Sequence, residues 1–180
     1  MKRGARVLAI DDAPFTRGEK EVLVVGVVWR SGVVEGVLAT RVRRDGSDAT
    51  AKLAALANNS RFKEGLRLIL LHSITLAGFN IVDIKKLAAA TGVPVLTLVR
   101  RKPDTANVKT ALRKFRDFKR RWALIERAGG IHRIGRFYCQ FAGVGEREAK
   151  EALRQAGAEG LRLAHLIASG VTRGESRGRI

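Results

Sequence analysis

Val22-Leu23-Val24-Val25-Gly26-Val27-Val28-Trp29-Arg30, the pair Ser31-Gly32, and Val33-Val34-Glu35-Gly36-Val37-Leu38-Ala39-Thr40-Arg41-Val42-Arg43 decide how this chain is built. Two long β-branched runs joined by a Ser-Gly turn signal predict a hairpin. Just upstream, Arg6 to Ile10 reads as a short buried strand. Downstream the period changes: from Asp48 to Asn59, Ala49, Leu53, Leu56 and Ala57 fall on one face at helical spacing. Leu66 to Leu71 returns to a compact apolar strand. Asn80 then caps a helix through Ile84, Leu87 and Ala88 that Gly92 closes, and Pro94 to Arg100 is a further strand.

After Pro103-Asp104 a basic amphipathic helix, with Val108, Ala111, Leu112 and Phe115 on one face, runs to about Arg127, where Gly129-Gly130 interrupts it. Ile131–Ile134 and Phe137–Ala142 form a late hairpin, and Glu146–Gln155 and Leu161–Ser169 two closing helices. Three strands, helix, strand, helix, strand and then helices is the element order of an α/β, ribonuclease H-like architecture. The expected sheet is mixed and five-stranded, a meander extended by parallel additions and flanked by helices. No linker divides the chain, so residues 1–180 are expected as one domain, with a loose basic arm over 172–180.

Composition narrows the function. The 180 residues carry 35 Lys+Arg against 17 Asp+Glu, a formal charge of +18, and are 46% hydrophobic, enough for a real core. Such charge repels itself unless a polyanion neutralises it, so nucleic acid is the first expected partner and an anionic membrane surface the second; the bland alternative is a merely solubilising surface. The single cysteine, Cys139, excludes an internal disulfide and any multi-thiolate zinc site, which fits a reducing, cytoplasmic setting. The longest apolar run, Val22 to Trp29, falls far short of the ~20 residues that cross a bilayer, and the basic start Met1-Lys2-Arg3-Gly4 leads into no signal-peptide core. No membrane is expected.

On this scaffold the chemistry calls for carboxylates at strand ends holding a divalent metal. Asp11 and Asp12 end the first strand; alternation through Val7, Ala9 and Asp11 favours Asp11, with a buried or loop-capping aspartate as the alternative. Asp45-Gly46-Ser47-Asp48 lies where the third strand gives way to a helix, so either carboxylate reaches a metal or serves the turn and the helix cap. Asp83 and Asp104 read as caps and His165 as a core histidine. There is no HExxH, P-loop or GxGxxG. Between Arg100 and Arg127 eleven Lys/Arg oppose three acids, the expected phosphate footprint, with Arg100, Arg101, Lys102, Arg113, Arg120 and Arg121 as its contacts.

Several strings then coincide: Val7-Leu8-Ala9-Ile10-Asp11-Asp12, Asp45-Gly46-Ser47-Asp48-Ala49-Thr50, Ala77-Gly78-Phe79-Asn80-Ile81-Val82-Asp83-Ile84, Val99-Arg100-Arg101-Lys102-Pro103-Asp104, and Ala164-His165-Leu166-Ile167-Ala168-Ser169-Gly170 with Gly174-Glu175-Ser176-Arg177-Gly178-Arg179. Together they resemble the archaeal endonuclease dU family. The resemblance implies a fold related to endonuclease V and a metal-dependent nicking of DNA at deoxyuridine, with Mg²⁺ or Mn²⁺ as cofactor. By analogy with endonuclease V, Asp11 and Asp48 carry over as metal ligands. The third acidic position reads Leu70-Leu71-His72-Ser73, so His72 enters the catalytic set and shifts the expected preference from Mg²⁺ toward a softer ion. The rival expectation is a non-catalytic protein that binds DNA, or RNA, through the same basic surface.

Overall fold

The computed structural model describes residues 5–176; the basic start Met1–Gly4 and the last four residues of the expected arm lie outside them. Strands β1 (Arg6–Asp12), β2 (Glu21–Arg30) and β3 (Val33–Arg43) form the expected meander, followed by α1 (Ala49–Asn58). β4 (Leu66–Leu71) lies parallel to β1, and the small strands β5 (Thr75–Leu76) and β6 (Asn80–Ile81) make a separate hairpin. Then come α2 (Ile84–Thr91), β7 (Val95–Thr97), α3 (Thr105–Leu112) and α4 (Phe118–Arg127). The chain closes with β8 (His132–Ile134), β9 (Phe137–Cys139), β10 (Phe141–Ala142), α5 (Glu146–Ala156) and α6 (Glu159–Arg173).

The central sheet has six strands in the order β10-β7-β4-β1-β2-β3, one more than expected. The extra member is the two-residue β10, which leaves the late hairpin and adds antiparallel to β7. Three further expectations are corrected. Asn80 does not cap a helix: it is buried in β6, and Asp83 caps α2 by accepting from the Lys86 N–H at 2.9 Å. The long basic helix is broken between Leu112 and Phe118 into α3 and α4. The arm does not begin at 172, because α6 continues to Arg173 and stops at Gly174, whose φ of 76° ends it.

Period-two alternation sorts the sheet into two faces. Leu8, Ile10, Ile69, Leu71 and Val95 pack with Leu53 and Ala57 of α1 and Ile84 and Leu87 of α2. Val7, Ala9, Leu68, Leu70 and Leu96 pack with Ala149, Ala152 and Leu153 of α5 and Leu161 of α6. Helix α6 sits unusually close to β1: a Cβ on Gly160 would lie 2.8 Å from the Ala9 Cβ. That approach positions the rest of α6 over the end of β1. No helix among the described residues is long and apolar enough to cross a membrane.

Candidate active site and nucleic-acid surface

β1, β4 and β7 run parallel, so residues 11–12, 72–73 and 97–102 gather at one end of the sheet. Asp11 continues the Val7–Ala9 face and His72 the Leu68–Leu70 face, which places both on the α5/α6 side. The His72 N–H donates to the Ile10 carbonyl at 3.4 Å, fixing the two strand ends side by side. The Asp11 carboxylate is buried, only 2% exposed, between two imidazoles. His165 Nδ1 donates to Asp11 Oδ2 at 3.1 Å, and His72 Nδ1 stands 3.6 Å from Asp11 Oδ1. His72 is 43% exposed and His165 28%, so the cluster has a buried anion and a wet rim.

The sequence reading missed His165. Its apolar surroundings on α6 suggest a core position, yet it lies four residues, about one helical turn, after Leu161, which faces the same side of the sheet as Asp11. That shared stripe gives the side His165 faces, but not whether core or a carboxylate meets it there.

Asp12 turns to the other side and accepts the Ala77 N–H at 2.8 Å, tying β1 to the β5–β6 hairpin. Burial raises the pKa of Asp11 against the pull of the His72 and His165 charges. Burial, and then the charge on Asp11, push Asp12 up to about 6.

Asp48 does not join this cluster. It opens α1, which covers the opposite face, and its Oδ1 accepts from Asn80 Nδ2 at 2.7 Å and from the Arg43 N–H at 3.2 Å. It does not cap α1 with its own side chain; Asn80 Oδ1 takes the Ala49 N–H instead, at 3.1 Å. With β2 between them, β1 and β3 are separated by two interstrand spacings, about 10 Å. Asp45 is also structural: its Oδ1 accepts the Phe79 N–H at 2.8 Å, so close over Gly78 that a Cβ there would lie 2.3 Å from it. Among the described residues no group of three His, Cys, Asp or Glu side chains is arranged to hold a metal ion; in the Asp11 cluster the Nδ1 atoms of both imidazoles are turned onto the carboxylate itself.

Arg100, Arg101 and Lys102 follow β7, exposed, at the same sheet end as Asp11; Arg113 is exposed on the turn after α3, and Arg120 is exposed on α4 but paired with Asp117. Arg121 is a correction to the expected phosphate surface. It is 6% exposed, and its guanidinium donates to the carbonyls of Asp45 at 2.6 Å, Phe79 at 2.5 Å and Gly46 at 3.1 Å, and to Asp117 Oδ1 at 2.6 Å. The planar fork of arginine suits such a multiple acceptor site. Arg121 therefore fastens α4 to the β3–α1 turn and the β5–β6 hairpin, and with four of its five N–H donors spent inside the protein and its side chain buried it is not an exposed phosphate contact.

Comparison with known proteins places this geometry in context. A UPF0215 protein of Methanothermobacter thermautotrophicus is 49% identical over 189 residues, covering 99% of this chain and 93% of that protein. A crystal structure of a protein of unknown function from Archaeoglobus fulgidus superposes with a TM-score of 0.88 at 40% identity, covering 93% of this chain and 98% of the other. The catalytic domain of human endonuclease V matches with a TM-score of 0.56 at 14% identity, covering 95% of this chain and 83% of that domain. Endonuclease V of Ciona intestinalis, solved with a 24-mer DNA containing an inosine followed by a ribo-adenosine, matches at 0.50 and 10%, covering 86% and 78%. At these identities the endonuclease V likeness establishes the ribonuclease H-like fold expected from the element order. The family model described as endonuclease dU matches residues 3–172, and with it the chain belongs to the endonuclease dU family.

Proposed function

We propose that this protein is a metal-dependent endonuclease that nicks DNA at a deaminated, deoxyuridine-type base, with Asp11, His72 and His165 at its reaction centre. The observation that carries the reading is the buried Asp11 carboxylate held between imidazoles from two separate elements at the strand ends. The family membership, and the DNA held by the Ciona endonuclease V of the same fold, support it.

The donor set offers carboxylate oxygen and imidazole nitrogen. A hard cation such as Mg²⁺ is commonly held by one or two carboxylates, with water and substrate phosphate completing its shell, while imidazole shifts preference toward Mn²⁺ and softer ions. The residues thus fit an ion anchored on Asp11 with His72 and His165 beside it, chiefly completed by solvent and nucleic acid. Such an ion, when bound, supplies an activated water and stabilises charge on the leaving oxygen. Asp48 serves as a positioning residue that locks the β3–α1 turn to Asn80.

The chain's own groups divide the remaining work. Asp11 holds the His165 ring through Nδ1, fixing its orientation and tautomer. His72, half in solvent, takes or gives a proton where the substrate meets the site. Arg100, Arg101 and Lys102 bind the phosphates next to the cut.

Incubating the protein with end-labelled duplexes containing deoxyuridine, deoxyinosine or no lesion, in chelator, Mg²⁺ or Mn²⁺, tests this reading. The expected result is nicking of the deoxyuridine strand that requires metal, favours Mn²⁺, and shifts toward Mg²⁺ in His72→Asp. Tight binding without nicking under every condition would instead establish a non-catalytic nucleic-acid-binding protein.

A further inference from the structure

The run Lys114-Phe115-Arg116-Asp117-Phe118-Lys119-Arg120-Arg121-Trp122 interleaves aromatic rings with cations, and the structure separates the rings into two kinds. Phe115 is spent on packing: its ring meets Phe79 edge-on at 5.7 Å between centroids, and the Arg121 guanidinium lies over it at 4.4 Å. Phe118 and Trp122 are placed differently. Among the described residues neither belongs to either hydrophobic core, and both are only half-buried. Four residues apart on α4, they share one flank of the helix. Their rings lie within 18° of parallel, with centroids 6.5 Å apart.

Trp122 is also held in orientation, because its Nε1–H donates to Glu126 Oε1 at 2.6 Å, one turn further along the same flank. What lies over its ring is a cation: Lys109 Nζ, from α3, stands 4.6 Å from the ring centroid, and Lys109 is itself exposed. An exposed cation–π contact is weaker than a base stacked on an aromatic ring. A base arriving at the ring therefore displaces the ammonium and leaves it beside the phosphate that the base brings with it.

The surface around the two rings is cationic. Lys109, Arg113, Lys114, Arg116 and Lys119 are exposed, and none is in an ion pair among the described residues. The nearby acids are engaged: Asp117 by Arg120 and Arg121, Asp104 by the Asn107 N–H at the start of α3, and Glu126 by Trp122. Parallel aromatic faces among unpaired cations suit an unpaired nucleic-acid strand, which offers base faces and phosphates together. A duplex offers its phosphates but keeps its base faces in the stack, and an acidic peptide has the charge without the rings. The flank is also tied to the reaction centre. Arg121 binds α4 to the carbonyls of Asp45, Gly46 and Phe79, and the β5–β6 hairpin, whose turn includes Phe79, is held to β1 by Asp12, next in sequence to Asp11.

We propose that the Phe118–Trp122 flank of α4 is a stacking site for an unpaired strand of DNA, with bases on the two rings and phosphates on Lys109, Arg113 and Lys119. That the strand is DNA rests on the nuclease reading above; the stacking and the charge do not. The site takes undamaged strand, outside the centre at Asp11.

The test is made in chelator with undamaged strands, so that it does not depend on nicking. The chain has two tryptophans, Trp29 and Trp122; Trp29 packs against the core, and in Trp29→Phe the emission reports Trp122 alone. Titration with an oligodeoxycytidylate of about twelve nucleotides, within the span of ordinary single-strand sites, is expected to quench that emission as the complex forms. Trp122→Ala and Phe118→Ala, checked by circular dichroism for a retained fold, should each weaken single-strand binding roughly fivefold to a hundredfold, the effect of one lost base stack. Each should leave affinity for a blunt duplex within about twofold, the ordinary effect of a surface change. Bound strand without quenching of Trp122, or equal losses on duplex and single strand, would overturn the stacking site; tighter binding of oligocytidylate than of its deoxy counterpart would overturn the assignment to DNA. If a deoxyuridine duplex is nicked and no stacking is found, this site alone falls; if stacking is found and nothing is nicked, the nuclease reading falls and the site stands.

Discussion

Asp11 and Asp12 are consecutive carboxylates on one strand, and alternation gives them different work: Asp11 faces two histidines, Asp12 fastens the β5–β6 hairpin through Ala77. Their closeness leaves a signature in the metal-free protein. The Asp12 carboxyl rises from an ordinary 3.8 to about 6, first through burial and then through the neighbouring charge of Asp11. A native state that keeps a proton which the unfolded chain has released loses stability as pH rises through that window. Urea unfolding in chelator should therefore show stability falling between pH ~4 and ~6, and Asp12→Asn, which keeps an acceptor for Ala77, should flatten the fall. Superimposable profiles for the two proteins would contradict the assigned environment. Asp11 was legible in the sequence because Val7, Ala9 and Asp11 share a face, whereas His72 came only through the resemblance, which puts an acidic residue of endonuclease V at that strand end. His165 was not legible, because an imidazole among apolar residues looks the same from sequence whether it is enclosed by core or set against a buried carboxylate.

Among the elements, α6 carries the second histidine, and its distance from β1 is set at Gly160. Adding one methyl there brings Cβ to 2.8 Å from the Ala9 Cβ, so the helix must shift. Gly160→Ala is expected to cost about 1–3 kcal/mol, the usual range for overpacking. It should also weaken the contact between His165 and Asp11, so that nicking falls more than stability alone explains. Thermal unfolding together with single-turnover rates checks this, and an unaltered rate would mean that α6 placement is not critical. The meander, α1 and β4 followed from periodicity and turn chemistry. The break between α3 and α4 did not, because residues 113–117 are mostly compatible with helix; what redirects the chain is tertiary, the Arg121 guanidinium drawn onto the carbonyls of Asp45, Gly46 and Phe79. β10 escaped because two residues carry no period, and Asn80 was mistaken for a cap because Asn80 and Asp83 are both capping types three residues apart.

Across the whole molecule, 35 Lys+Arg give a formal charge of +18, and three of these cations, Arg100, Arg101 and Lys102, follow β7 at the sheet end that bears Asp11 and His72. With about five phosphate contacts, affinity for DNA should fall roughly five-hundredfold between about 50 and 200 mM salt. Charge reversal at Arg100 and Arg101 should weaken binding to every sequence and reduce the salt slope, whereas affinity indifferent to salt would exclude a phosphate-dominated surface. Arg121 stands outside this count, because its donors are held inside the protein.

The most direct measurement is the single-turnover nicking rate of Asp11→Asn on a deoxyuridine duplex with Mn²⁺, taken together with its unfolding free energy. Removing a buried carboxylate relieves a desolvation cost, so the variant should be at least as stable as the wild type in chelator. Its nicking should fall by a factor of roughly a thousand or more if Asp11 anchors the ion that activates the attacking water. A stable Asp11→Asn protein that nicks at the wild-type rate would place the reaction centre elsewhere in the molecule.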